Sequence, residues 1–543
     1  MFLFHVTIII GVIMKIIRIT DFKVIMTLIL SLIVSLTYAV WLDSEPFRLY
    51  QPDGTPLDVL LSGDFLYNWH HDSRGYTIVL DRETGYWCWA IDENGFIISS
   101  GLPIHLNPID EVIRSFDIRP NLTLSLEKYY ELREAWEMSI AGSAAPSHGV
   151  IQNITIFIRF RDQTEFPQTI AHWDQLLNDR TQGANSMFNY FWNISNETLE
   201  VESPFFPISH NNMVLSYWHH RERRFYLPSS ATNPDGYDSI AERDRNLHDL
   251  LANAVKAVEE QIPTNLLLNT GNPNNVDNVN FIIRGQTNHG ALIWPHRWVL
   301  THAHATIHGL RVWNYNVNIE QFPRQGVAVY AHEFAHTLGF PDFYVYAGYT
   351  NITPVGGWCL MSNDREPPQS ISAAAIDRYT NWFQDRLPRI TSNQRLTLHP
   401  LSTHGIQGAV RLDPATNPAN EYFVIEFRNN SVSLIDRSLP SSGIFIKRVN
   451  PNINTGNRHG PPHEVYYFRP NGTHNTTGLI NNAHFSANSG RTLFSSTTNP
   501  FPFWLNGNRV NQIVIYDISE IGETMSFSVH LGGANINQIS DSF

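Results

Sequence analysis

VAVYAHEFAHTLGFPDFY, residues 327–344, decides how this chain is read. Nothing in GVAVYA breaks a helix after Gly326, so the stretch predicts a helix running through His332-Glu333-Phe334-Ala335-His336. Histidines four apart lie about 40° apart around a helix axis and one turn along it. Both imidazoles can then reach one tetrahedral zinc ion. Glu333, about 100° from His332 on the wheel, falls beside the metal, where a general base can take a proton from water. Gly339 lets the helix stop with positive φ, and Pro341 pushes Phe340 into an extended conformation. That turn can return the Asp342 carboxylate beneath the metal as third ligand. The pattern is H-E-x-x-H-x-x-G-x-x-D. Chance yields H-E-x-x-H in roughly one such chain in twenty, and the added Gly and Asp lower this to on the order of 10⁻⁴.

A rival geometry takes Glu366 as third ligand, but Pro367 and Pro368 follow it at once and keep it out of a helix. Met361, in GGWCLMSND, is placed to supply an apolar floor below the ligands. His302, His304 and His308 form a second cluster without the carboxylate and turn of the first, and read as surface histidines. His296, in IWPHRW, precedes the active-site helix and is a cleft candidate. Cys88 and Cys359 are the only cysteines. They are too few for a disulfide framework, although an oxidising compartment would permit one bridge between them. Cys88 lies in a strand-like alternation, GYWCWAI, and reads as strand core before it reads as a thiolate cap on the zinc.

Working outward, the 543 residues are 42% hydrophobic and 12% aromatic, which excludes wholesale disorder. The net charge is −13 and no basic run exists, which excludes nucleic acid as a partner. Residues 24–40, VIMTLILSLIVSLTYAV, follow Lys15, Arg18 and Lys23 and end on small residues. They read as a secretion signal, residues 1–39, cut after Ala39; the alternative is an uncleaved membrane anchor. Sequons at Asn121, Asn153, Asn193, Asn196, Asn351, Asn429, Asn471 and Asn475 fit an exported glycoprotein.

Turn signals between short apolar runs predict a β-rich unit over 45–100, followed by a helix in LSLEKYYELREAWEMSIAG and a linker, SAAPSHG. ITIFIRF (154–160) and VNFIIRG (279–285) read as buried strands, and 243–261 as an amphipathic helix. From about residue 390 strands alone follow, with a β-sandwich as the default. The fold class expected is α+β multidomain.

The sequence resembles the M6 family of secreted metalloproteases, the immune-inhibitor-A-like peptidases of the metzincin clan. The resemblance rests on HEFAHTLGFPDFY and GGWCLMS, and extends to ITIFIRFRD, SMFNYFWNIS, NVDNVNFIIRG with IWPHRW, EYFVIEFRN, GIFIKRV and the stretch 52–79. It implies His332, His336 and Asp342 as zinc ligands, Glu333 as general base and acid, and Met361 as the Met-turn residue. It implies a propeptide over 40–145, a metzincin-like α/β zinc peptidase domain over 146–388 and a C-terminal β-sandwich over 389–543. Calcium is common in such secreted peptidases, yet NTGNPNNVDN carries Asp277 as its only acid. Where some metzincins place Tyr two residues after the Met, this chain has Asn363, which leaves Tyr344 and Tyr346 as oxyanion candidates that read first as core. The expected function is a secreted zinc endopeptidase made as a zymogen and acting on proteins or peptides. The alternative is an exported adhesive or glycan-binding surface protein, using its C-terminal domain, with a vestigial peptidase.

Overall fold

Turns at PDG, SGD and ETG divide the start of the described chain into an antiparallel meander: β1 (Leu42–Tyr50), β2 (Pro56–Gly63), β3 (Asn68–His71), β4 (Thr77–Leu80), β5 (Trp87–Glu93) and β6 (Phe96–Pro103). The structure is a computed structural model. It describes residues 42–532 apart from 94–95, 114–115, 117, 141–143, 287–292, 323–325, 347–351, 416 and 418–419. The apolar segment read as a secretion signal lies outside these. Among the described residues no helix is long and apolar enough to cross a membrane.

After the meander, α1 (Leu126–Ile140) carries the predicted helix. The linker expected behind it is partly seated: the Ala145 N–H donates to Thr337 O at 2.8 Å, while Ala144 and 148–150 remain exposed.

The apolar runs at the centre of the chain form β7 (Gly149–Phe160) and β8 (Asn278–Gln286). With β9 (His296–Val299) and β10 (Asn314–Gln321) they make the centre of the main seven-stranded sheet, in the order β7-β8-β10-β9, and three short strands, Leu199–Glu202, Phe205–Phe206 and Tyr217–His219, pair with β7. β7, β8 and β10 run parallel and β9 closes one edge antiparallel to β10. Both faces of the parallel strands are covered, which is why they read as unbroken apolar runs. One face takes α2 (Ile240–Val258), which starts where the Ser239 hydroxyl accepts from the Glu242 N–H and buries Leu247, Leu250, Leu251, Val255 and Val258. The other takes α3 (Val327–Thr337), buried along nearly its whole length.

Asparagines alternate with the apolar residues on these strands and bond across them. Asn278 donates to Asn153 at 2.7 Å and to Asn316 at 2.6 Å, and Asn316 donates to Glu333 O at 2.9 Å. The sheet thus grips the backbone of α3 at the residue expected to be the base. A second rung joins Asn318, Asn280 and Thr155.

Beyond residue 388, strands Arg389–Ile390, Ala409–Leu412, β11 (Tyr422–Arg428), β12 (Gly443–Val449), Val465–Tyr467 and His484–Phe485 form one sheet. Gln394–Leu398, Ile513–Tyr516 and Met525–Leu531 form another. Phe423, Ile425 and Phe427 of β11 share a core with Leu398, Ile515 and Phe527. On the opposite side of the same strands, Val424 and Phe445 pack in the core that holds Trp358, Met361 and α3. The whole is mixed α/β.

Two of the sequons are spoken for by the fold: Asn153 and Asn429 are buried, and Asn153 is bonded to Ser203. Asn351 lies outside the described residues.

Several histidines are buried in neutral form. His248 accepts the His302 N–H on Nδ1 at 2.9 Å and meets Tyr315 Oη through Nε2 at 3.0 Å, so its ring has no room for a second proton. Burial, then His302, pushes it down to about 3; burial, then Arg448 and Arg469, does the same to His463. Between pH 6.5 and 3 the unfolded chain binds protons at these sites that the folded chain refuses. Stability is therefore fully present above pH 6.5 and falls as the pH drops, by about 1.4 kcal/mol per pH unit for each histidine. Urea midpoints measured from pH 7 to 4 are expected to fall less steeply in His248→Gln than in the parent; an unchanged slope would exclude His248 as a contributor.

Candidate metal centre

Helix α3 begins at Gly326, which has no side chain to cap it. Glu366 supplies the cap from a distant loop: its Oε2 accepts the Ala328 N–H at 3.0 Å, and its Oε1 accepts from the Asn185 side chain. A carboxylate at a helix N-terminus satisfies free N–H groups and the helix dipole. A Cβ on Gly326 would lie 2.3 Å from the Glu366 Oε2, so any side chain there would push this carboxylate off its cap. Glu366, weighed from sequence as a metal ligand, is thus a cap.

The helix ends at Gly339 with φ +97°, and the chain turns back as expected. His332 Nε2 and His336 Nε2 lie 3.1 Å apart, and each is 3.3 Å from Asp342 Oδ1. No other three His, Cys, Asp or Glu side chains among the described residues close on one point in this way. Four ligands about 2.0–2.1 Å from a tetrahedral zinc are about 3.3 Å from one another, so the triangle has the size that zinc needs.

The hydrogen bonds behind the rings point the same way. His332 Nδ1 lies 3.0 Å from Leu360 O, and His336 Nδ1 lies 2.7 Å from Phe340 O. Both δ nitrogens donate to carbonyls, which leaves both ε nitrogens with lone pairs aimed at each other and at an Asp342 oxygen that has no hydrogen-bond donor. Three acceptors facing one point call for a cation. Burial works against charge here. Even so, His336 and His332 hold the Asp342 carboxyl far below its ordinary range, and the adjacent Asp342 carboxylate lifts His332 above the ordinary histidine value.

Glu333 is 2% exposed, and burial pushes it up to about 8 against the pull of His332. Met361 is fully buried beneath α3, and its backbone O accepts the Phe343 N–H at 2.6 Å. The segment around it serves the site through the main chain, because Leu360 O orients His332.

The second oxygen of Asp342 is held by groups whose role the sequence did not announce. Tyr346 Oη donates to Oδ2 at 2.6 Å, so this tyrosine orients the carboxylate. Arg133 Nη2 donates to the same oxygen at 3.2 Å, and Arg133 Nη1 to Asp64 Oδ2 at 3.3 Å. The guanidinium lies 3.7 Å over the Tyr346 ring. Asp64 also accepts from Tyr129 Oη and the N–H groups of Leu66 and Tyr67. The N-terminal segment thus reaches into the cleft with Asp64, Phe65, Arg133 and Trp136, opposite His296, Glu333 and Tyr344. The free space left is about 20 Å³, room for about one water.

Other candidates fall elsewhere. Cys88 and Cys359 are buried free thiols, and Cys88 sits beside Ser99 and Asp81 in the N-terminal sheet, away from the cleft lining. His308 bonds Ile262 O, and His302 serves His248. Asp277, the one acid of its loop, has both oxygens engaged by Thr270 and Gly271.

A buried His-His-carboxylate group carried by a helix over a mostly parallel sheet, with a glutamate beside it, belongs to the class of metallopeptidase-type hydrolases. Residues 284–381 match the family model of the immune inhibitor A peptidase M6, catalytic domain. The segment carrying the whole group is therefore similar to an M6 peptidase catalytic domain. Such a family implies a metal ion, and protein or peptide substrates. No curated protein matches the chain.

Proposed function

We propose that this protein is a secreted zinc endopeptidase, made as a zymogen, in which His332, His336 and Asp342 hold the ion and Glu333 is the general base. The convergence of two ε nitrogens and an undonated carboxylate oxygen beside Glu333 carries the reading. Zinc held there supplies Lewis acidity, which makes water a nucleophile near neutral pH and polarises a peptide carbonyl. Glu333, kept proton-hungry by burial, takes the proton of the attacking water and delivers it to the departing amine. Asn316, bonded to Glu333 O, fixes the residue's place on the sheet, and Leu360 O and Phe340 O fix the ring tautomers of the two histidines.

The reading of 40–145 as a propeptide is supported by the occupied cleft. A polypeptide substrate cannot enter while Phe65 and Arg133 lie in it. The exposed positions 148–150 offer a place for an activating cut.

The test is cleavage of a generic unfolded protein by the full chain before and after nicking within 144–150. Cleavage is expected only after nicking, is lost with a chelator and returns with zinc. Cleavage indifferent to the chelator would overturn the metal assignment.

A further inference from the structure

β2 and β3 pair antiparallel up to Gly63 and Asn68, and the four residues between them make a tight tip closed by the Asp64 N–H on Tyr67 O at 2.9 Å. Gly63 has φ +114°, and a Cβ there would lie 2.3 Å from Tyr67 O, so the tip tolerates no side chain at that point. Asp64 Oδ1 accepts from the N–H groups of Leu66 and Tyr67 and stiffens it further. This rigid tip carries Phe65 into the cleft beside the metal group.

There Phe65 lies flat against His296 of the edge strand β9, with ring centroids 4.8 Å apart and planes within 11°. Its other neighbours, Trp136 and Arg133, both come from α1 of the same N-terminal segment. When that segment leaves, the peptidase side is left with a flat imidazole face, the one Phe65 covered, at a cleft wall. His296 is held in that plane by its Nδ1, which donates to Trp294 O at 2.7 Å, while its Nε2 has no hydrogen-bond partner. A wall of that kind takes a planar side chain by stacking and offers an acceptor at the ring edge for a Tyr hydroxyl or Trp N–H.

We infer that Phe65 occupies a substrate subsite whose wall is His296, and that the peptidase selects polypeptides with an aromatic side chain next to the bond it cuts. The inference rests on the peptidase reading above and names its substrate class. Phe65 is the segment's own copy of the side chain that the cleft is shaped to hold.

The experiment uses the nicked full chain, zinc-loaded, on a mixed peptide library whose cut positions are mapped by mass spectrometry. Phe, Tyr and Trp are expected to be enriched at one position flanking the cut by roughly threefold to tenfold, the worth of one aromatic stack. His296→Ala is expected to erase that enrichment through KM, and His296→Phe, which keeps a flat ring, to restore it for Phe. In a second measurement, release of the N-terminal fragment from the nicked chain is followed by gel filtration. Phe65→Ala is expected to speed release by a similar factor, and Phe65→Trp to leave it slow. Cleavage without aromatic preference, or a preference indifferent to His296, overturns the subsite while the peptidase stands. Absence of any cleavage overturns the peptidase reading and the subsite with it.

Discussion

Glu333→Gln is expected to lower peptide hydrolysis by about 10²–10⁴-fold while one equivalent of zinc stays bound, because the residue lies beside the ligand triangle and contributes no corner to it. The substitution keeps size and polarity, and the Asn316 bond goes to the main-chain oxygen of residue 333, which the variant retains. Its effect is thus confined to proton transfer. Turnover on an unfolded protein and metal content by elemental analysis separate the possibilities. Loss of zinc in this variant would make Glu333 a ligand and sink its assignment as base. Retained turnover would move the proton transfer to another group.

The second large effect is expected far from the ligands. Arg428 on β11 is a fully buried guanidinium that binds Asp436 through two nitrogens, donates to Trp358 O at 3.0 Å and Ser370 O at 3.3 Å, and meets Glu426 at 3.2 Å. Asp436 also accepts the Ser370 N–H at 2.8 Å. Glu426 accepts the Ala373 N–H at 2.9 Å and pairs with Lys447 of β12, which burial lowers to about 8. Lys447 in turn reaches Ser372 Oγ. This buried lattice of charges fastens residues 358–373, the loop whose Leu360 O orients His332. Arg428→Met leaves two buried carboxylates short of a cation, a loss of about 3–5 kcal/mol that a shift in the denaturant midpoint would register. Because the loop sets the acceptor behind a proposed ligand, zinc affinity is expected to weaken by about 10–100-fold as well. A destabilised variant with unaltered zinc affinity would show that the lattice supports only the fold.

The metal group was legible because its geometry is local. The helix, the positive-φ glycine and the proline lie close together in sequence: 3.6-residue periodicity places His332, Glu333 and His336, and the turn at Gly339 returns Asp342. Strands β7 and β8 and helix α2 were legible for the same reason, their apolar patterns being matched to period. What surrounds the group was not. Arg133 touches Asp342 across 209 residues of chain, and nothing in ELREAW sets this arginine apart from an exposed one on a polar helix face. Glu366 was read as a possible ligand and excluded on its prolines, and its work as a cap follows only from where its loop passes. Tyr346 was weighed as an oxyanion group or core, and the fold makes it a support for Asp342. Alternating asparagines in NVNF and NYNVNIE were the one visible signal for the cross-strand ladder, since such residues are depleted in strands unless something binds them.

The fastening of the loop behind His332 also orders events during synthesis. The anchors that hold it, Arg428, Asp436 and Lys447, leave the ribosome after every proposed metal ligand has done so. A chain interrupted between Asp342 and Arg428 would carry the complete His-Glu-His-Asp set yet lack the clamp that stiffens it. A truncated product of that length is expected to hold the proposed ion more weakly than the finished chain.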